Sequence, residues 1–391
     1  MRLSFLFALC ALLTVGSALA TPYRPASDDE ILETLPGGPA AAADRTARAL
    51  RALSARDPDN LDLALHVASL DIARARSESD PRQLGRAEAV LAPWWNADAP
   101  PVPVLVLRAT IEQSNHAFAD ARTHLERALA AEPRNAQAWL TLASVQQVTG
   151  DLDAARASCA KLSDIALAIV ATTCTASVDG VSGNAARAYD AIERELARPF
   201  RASPAETTHL RTWATTLEAE LAERLARPRD AEQLYRASLA LDAHDAYAIA
   251  AYADFLIDAG RYAEVLALIS RDTPVDTLLL RRVHAAKRWG TVDEAEALGE
   301  RFAALRARGD RVHLREEARY TLEIRGDADA ALDLALENWR VQKEPLDARI
   351  ALEAALAARR PEAAREIVEW IASSGLEGER VRTLAREASQ R

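Results

Sequence analysis

The sequence is poor in the residues that break, stiffen or cross-link a chain. Its 391 residues hold 14 Gly, 17 Pro and 3 Cys, and only 5% are aromatic. That scarcity excludes collagen-like and Pro/Gly-rich disordered chains and a disulfide-dense scaffold. A sheet-rich enzyme would need more Val, Ile, Thr, Gly and aromatics. Lysine is nearly missing, with three residues against 45 Arg, and acids outnumber bases 58 to 48, a formal charge of −10. A general phosphate-backbone binder carries the opposite balance, so no nucleic-acid partner is expected.

Catalytic patterns are missing as well. The seven histidines (His66, His116, His124, His209, His244, His284 and His313) show no H-E-x-x-H spacing. His116 and His124 lie eight apart across a predicted turn and make a poor zinc pair. Gly180-Val181-Ser182-Gly183 reads as a turn, without the strand that a nucleophile elbow requires. Walker and dinucleotide glycine patterns do not occur. Asp28-Asp29-Glu30 is too short for a calcium loop and reads as first-turn acids of a helix. The expectation is a protein that is not an enzyme and takes no cofactor or metal.

What the sequence does have is helix formers. About a fifth of it is Ala, with abundant Leu, Arg and Glu, and 49% is apolar, ample for a core. The composition predicts an all-α protein, and the length allows two or three domains or one elongated array.

The first twenty residues read as an address. Arg2 precedes an apolar run from Leu3 to Val15, then Gly16, Ser17 and the small-residue pattern Ala18-Leu19-Ala20. This is the layout of a secretory signal peptide, with cleavage expected after Ala20; an uncleaved anchor is the rival. The run is short of the roughly 20 residues that cross a bilayer. A mature chain from Thr21 has a charge of −11, no further long apolar segment, and a periplasmic or secreted location. Cys159 and Cys174 then remain, an even number where disulfides persist. They fall on sequential helices flanking a bend near Ser163-Asp164, as a bridge or as two buried free thiols.

Ala136 to Leu162 is the most legible stretch. Trp139, Leu142 and Ala143 recur at helical spacing, Gly150 breaks the run, and Ala155 and Cys159 continue on a second helix. This unit resembles a tetratricopeptide repeat. Trp139, Leu142, Ala143, Gly150 and Ala155 match that family's spacing, while Gln146 and Cys159 stand where aromatics are usual. Similar turn markers recur at His116, Gly150, Gly183, Ala226, Gly260, Gly290, Gly326 and Arg359, about 30 to 36 residues apart. One longer step precedes Ala226, where Ala202–Pro204 looks inserted. Small second-helix residues follow at Ala121, Ala155, Ala188, Ala231, Ala295, Ala331 and Ala364, with Val265 a departure. Pro58 with Asn60, and Pro133 with Asn135, fit repeat ends. Asn60–Trp95 reads as a further hairpin and Ala43–Arg56 as a half-repeat.

The resemblance implies an α-α superhelix, a right-handed tetratricopeptide-like solenoid of about eight hairpins over residues 40–376. Residues 377–391 form a C-terminal capping helix. Residues 21–39 are a Pro-rich segment around one short helix, with a capping box at Ser27 and Glu30 and a small apolar face of Ile31, Leu32 and Leu35. That segment either caps the solenoid or binds a partner. Ala92–Pro103 is a rigid bend whose Trp94 and Trp95 are interface anchors if exposed and junction packing otherwise.

In such a solenoid the first helix of each repeat lines the concave groove. The inward positions are then Gln113, Ser144, Gln147, Asp254, His284, Lys287, Arg288, Tyr320, Glu323, Arg349 and Glu353. Their mixed polarity suits a peptide or protein segment better than a lipid tail. The family's carboxylate clamp does not map here, so no C-terminal carboxylate ligand is implied. The expected function is a non-enzymatic scaffold of the cell envelope that binds a protein or peptide in the groove. The alternative is a structural accessory subunit of an envelope enzyme or secretion assembly, contacting through Trp94-Trp95.

Overall fold

The computed structural model describes residues 39–78, 81–199, 204–291, 295–309 and 311–390. The expectations for residues 1–20 and 21–38, and for Ala202 and Ser203, lie outside these residues. The chain divides into units 1–49 and 50–391. Residues 39–49, the described part of the first, are helical. The second is an all-α superhelix.

Helix α1 (Pro39–Arg56) comes first, and its Arg51 pairs with the buried Asp71. It is followed by α2 (Leu61–Glu78) with α3 (Arg82–Trp95), α4 (Val102–Ser114) with α5 (Phe118–Ala131), and α6 (Ala136–Val148) with α7 (Leu152–Ala160). The middle supplies α8 (Ala168–Gly180) with α9 (Ala185–Leu196), α10 (Pro204–Arg224) with α11 (Pro228–Leu241), and α12 (Ala246–Asp258) with α13 (Tyr262–Leu268). Last come α14 (Asp276–Trp289) with α15 (Ala295–Ala307), α16 (Leu314–Tyr320) with α17 (Ala328–Trp339), α18 (Pro345–Ala357) with α19 (Arg365–Ser374), and the closing α20 (Glu379–Gln390). These described helices make nine pairs: the eight that carry the turn markers, and α2 with α3, which fall within the further hairpin Asn60–Trp95. The long step before Ala226 arises from α10, which has 21 residues where α6, α8 and α12 have 13.

The turns explain the periodicity. All eight predicted markers adopt left-handed backbone angles, with φ of 58° at His116, 55° at Ala226, 57° at Arg359 and 71° to 88° at the five glycines. The residue after the marker then donates its N–H back across the helix end. Ala117 reaches Glu112 O, Asp151 reaches Gln146 O, Arg227 reaches Ala222 O and Arg261 reaches Leu256 O, each at 2.8 Å. This bond satisfies a carbonyl that the helix end leaves free and reverses the chain in the fewest residues. Side chains then start the next helix. Asn135, Asp151, Asp245 and Asp327 each accept the N–H three residues on, at 2.8 to 3.2 Å.

Five residues past each marker lies the small second-helix residue. Ala121, Ala155, Ala231, Val265, Ala331 and Ala364 are fully buried and Ala188 nearly so, which lets the two backbones approach. Ala295 departs: it is half-buried, and Leu298 and Phe302 fill that junction instead. Cys159 and Cys174 are disulfide-bonded with Cα atoms 5.5 Å apart, tying α7 to α8. A loop of this separation, 15 residues, gives about 3 kcal/mol through the unfolded state. Trp94 and Trp95 are half-buried against the α2–α4 core, and the Arg108 guanidinium lies 4.8 Å from the Trp95 ring centre. Of the two expectations for this bend, the burial of both side chains favours junction packing.

Within residues 50–391 the superhelix winds tightly enough to touch itself. The Lys343 N–H donates to Val148 O at 2.7 Å. The Ala185 N–H, at the start of α9, donates to the Glu377 carboxylate at 2.6 Å across 192 residues. A carboxylate there satisfies an orphan donor and meets the positive end of the helix dipole. Beside it Gly183 packs on Gly375; a Cβ on Gly183 would lie 3.2 Å from Gly375 O. The last helix, α20, buries Val381, Ala385 and Ala388 and closes the array.

The left-handed turns are testable by exchange. Ala226→Gly is expected to stabilise the protein by about 0.5–1 kcal/mol, relieving a backbone angle unfavourable to L-residues. Gly260→Ala, where a Cβ meets nothing within 4 Å, should cost about 1 kcal/mol from backbone strain alone. Urea unfolding followed by circular dichroism measures both.

Candidate binding site

Successive first helices present one side chain each to the inside of the superhelix at intervals near the repeat length. Ser144, Ser177, Trp213 and Tyr247 stand 33, 36 and 34 residues apart, on α6, α8, α10 and α12. With Gln113, Gln147 and Thr277 they line a cavity of about 470 Å³. Gln113 Nε2 donates to Ser144 Oγ at 2.9 Å, and Ser177 Oγ donates to Gln147 Oε1 at 3.0 Å. Trp213 is half-buried, while Tyr247 is 63% exposed to the lumen and donates its hydroxyl to Glu220 at 2.6 Å. Cys174 also lines this wall, so the disulfide fixes the helix that carries Ser177.

The facing wall comes from the next turn. His313, Arg315, Glu316, Gln342 and Glu344 line it, with His116 opposite. Arg315 pairs with Glu344 and with buried Asp347, its Nη2 standing 3.1 Å from Asp347 Oδ2. Burial lowers the His116 pKa below its ordinary value, and the Arg315 guanidinium lowers it further, so the imidazole is neutral at pH 7.

Beyond the cavity, an ion-pair lattice fills the inside. Asp254 on α12 lies 2.5 Å from Arg281 on α14 and 2.6 Å from Arg319 on α16. Both arginines are over nine-tenths buried. Burial alone would raise the Asp254 carboxyl; the two guanidiniums outweigh it and hold it at about 2. Glu323 accepts from Arg319 at 3.0 Å and pairs with His284, which overcomes its burial and also holds it at about 2. Asp258 pairs with Arg349 at 2.6 Å and with Arg380 at 3.0 Å, across 91 and 122 residues. Arg349 and Arg380 both share Glu353.

The sequence-derived groove positions therefore separate into three sets. Gln113, Ser144 and Gln147 line the cavity. Asp254, His284, Glu323, Arg349 and Glu353 face inward and are consumed by ion pairs. Lys287 and Arg288 make local contacts: Lys287 Nζ donates to the carbonyls of Glu323 and Ile324 at 3.1 and 2.7 Å, at the wide turn Thr321–Arg325, and Arg288 donates to the Tyr262 hydroxyl at 3.3 Å. Tyr320 is a correction. It is 7% exposed, donates to Ala295 O at 2.9 Å and packs on Phe302, so it belongs to the core and not to the groove. Sequence reasoning missed Ser177, Trp213 and Tyr247, though extending the interval from Ser144 reaches all three.

Residues 113–167, which hold Gln113, Ser144 and Gln147, match the family described as Tetratricopeptide repeat. A comparison with curated proteins finds no match. Among solved structures the chain is similar to one in the crystal structure of the APC/C hetero-tetramer Cut9-Hcn1, at 13% identity and a TM-score of 0.41, over 88% of this chain. It spans only 52% of that longer chain. It is also similar to the Rap protein complexed with competence and sporulation factor (13% identity, TM-score 0.49, 89% of this chain and 94% of that one). A third is a tetratricopeptide repeat protein from Parabacteroides merdae ATCC 43184 (17% identity, TM-score 0.33, 74% and 98%). These values say nothing of what the chain binds.

Two stability predictions follow from the inner charges. Asp254→Asn removes the carboxylate that two buried guanidiniums share, leaving Arg281 without an acidic partner among the described residues, and should cost about 3 kcal/mol in urea unfolding. The pH profile should have two limbs. Burial, and then Glu193, raise the Glu218 carboxyl to about 7, and burial raises Glu223 to about 8 against its hydrogen bond from Tyr235. These acids bind protons more tightly folded than unfolded, so stability falls as pH rises from their ordinary value of 4.5 to about 8, by roughly 3 kcal/mol for Glu218 alone. Asp254 and Glu323, held at about 2, contribute stability above their ordinary values that is lost as pH drops toward 2. Melting temperature should peak near pH 4–5 and decline on both sides, and Glu218→Gln should flatten the alkaline limb.

Proposed function

We propose that this protein is a non-catalytic interaction scaffold of the cell envelope that receives a short peptide or protein segment in the lumen of its superhelix. The observation that carries the reading is the cavity between Ser144, Ser177, Trp213 and Tyr247. Its 470 Å³ falls within the range of pockets that enclose a small ligand, and its amides, hydroxyls and two aromatic rings can hold backbone and side chains together. The signal-peptide layout of Arg2 to Ala20 supports export, and a disulfide such as Cys159–Cys174 persists in an oxidising compartment. The acidic balance supports a protein partner over nucleic acid. No described helix is long and apolar enough to cross a membrane.

The second reading, an accessory subunit docking through Trp94-Trp95, has the weaker support, because Arg108 covers the Trp95 ring and the core holds part of both side chains. Ser144→Trp, which fills the lumen, should abolish capture of the partner from envelope extract while leaving the helical circular dichroism intact. The double variant Trp94→Ala with Trp95→Ala should retain it. Unchanged capture by Ser144→Trp would overturn the lumen as the site. N-terminal sequencing of the exported protein should begin at Thr21.

A further inference from the structure

The chemistry of the lumen narrows what can enter it. Resting on the lumen as the binding site, we infer that the occupant is a short extended segment of uncharged, hydrogen-bonding residues with at least one aromatic ring, and that acidic segments are rejected.

The wall is the first argument. Gln113, Ser144, Gln147, Ser177 and Thr277 offer only amide and hydroxyl groups, and Trp213 and Tyr247 offer ring surface. None of the seven carries a charge at neutral pH. Gln113 with Ser144, and Gln147 with Ser177, already bond in pairs, so each keeps spare donor or acceptor capacity for a ligand without being orphaned when the lumen is empty.

The second argument is that cationic groups near the lumen are already engaged. Arg315 is bound to Glu344 and Asp347 and stands beside Glu316. Further in, Arg281 and Arg319 are bound to Asp254, and Arg349 to Asp258 and Glu353. Among the described residues that line the cavity, Arg315 already holds two carboxylates, so an acidic side chain would lose its hydration for little compensation while meeting Glu316 and Glu344. Burial raises the Glu220 carboxyl behind Tyr247 and lowers the His116 imidazole, so it disfavours the charged form of both. A cationic side chain would lose its hydration between Arg315 and the carboxylates Glu316 and Glu344, of which Glu344 is already bound to Arg315. Uncharged groups lose least on entry and gain the hydrogen bonds and ring contact that the wall provides.

The test uses fluorescein-labelled hexapeptides, acetylated and amidated so that the ends carry no charge. One set is built from Ser, Thr, Gln, Gly and a single Tyr; the others replace two residues with Asp or with Lys. Binding to the full mature chain is read by anisotropy at low and high salt. The neutral peptide should bind most tightly, with a dissociation constant that salt leaves unchanged within about twofold. Two Asp should weaken binding at least tenfold. Tyr247→Ala and Trp213→Ala should each weaken the neutral peptide several-fold, and Ser144→Trp should abolish it. Acidic or cationic peptides binding as tightly as the neutral one, or neutral binding that collapses in salt, would overturn the inference while leaving the lumen as the site. Failure of every peptide to bind would remove both.

Discussion

Charge compensation inside a tightly wound superhelix is the constraint on which this structure depends. The winding that brings residue 185 against residue 377 also drives the inner faces of α12, α14, α16, α18 and α20 together. Any charge on those faces leaves water, and an isolated buried ion is far too costly to keep. The answer is a lattice in which carboxylates are shared between guanidiniums: Asp254 with Arg281 and Arg319, Asp258 with Arg349 and Arg380. Arginine suits this role because its planar fork serves two acceptors at once and stays charged when buried. The preference of 45 Arg over three Lys thus has a structural use on the inner surface.

This lattice changes the solenoid's mechanics. In an ideal repeat array each unit touches only its neighbours, and stability is a sum of local terms. Here the backbone bond from Lys343 to Val148 and the carboxylate of Glu377 on α9 join hairpins that are remote in sequence. Opening one hairpin therefore breaks contacts in two turns of the superhelix. The close approach of Gly183 to Gly375 shows how little space the seam leaves, since a side chain at Gly183 would press on the Gly375 carbonyl. The disulfide between α7 and α8 stiffens the same region, where the first turn meets the second.

What the sequence disclosed was what is local. The eight turn markers are legible because a left-handed residue and a small residue five positions later are demanded by one hairpin, whatever lies beyond it. His116, Ala226 and Arg359 follow this rule without being glycine, so the interval identified them and residue type did not. Ala295 escaped the rule because its hairpin packs through Leu298 and Phe302. The lumen was legible only in part. Gln113, Ser144 and Gln147 line the cavity, and their shared face follows from helical phase. Whether an inner residue stays open, as Ser144 does, or is consumed, as Arg349 is, depends on superhelical pitch. Pitch accumulates from small rotations at every junction, and no single repeat encodes it. Tyr320 was misplaced for a related reason: a wide turn at Thr321–Arg325 shifts the helical phase beside it.

The division of the interior into a filled part and an open part bears on how a partner would be read. An α-helix with side chains is about 10–12 Å across, so a space of the lumen's volume would hold only about one turn of it. An isolated turn is unstable and would present few side chains to the wall. An extended strand places a backbone amide and carbonyl every 3.3 Å or so and turns alternate side chains to opposite walls. The amide and hydroxyl pairs on α4, α6 and α8 then face one edge of such a strand, and Trp213 with Tyr247 faces a ring carried on it. The same winding that forces the arginines into ion pairs thus leaves a chamber with one uncharged wall that can recognise polarity and shape, facing a wall where Arg315 is already bound to Glu344 and Asp347.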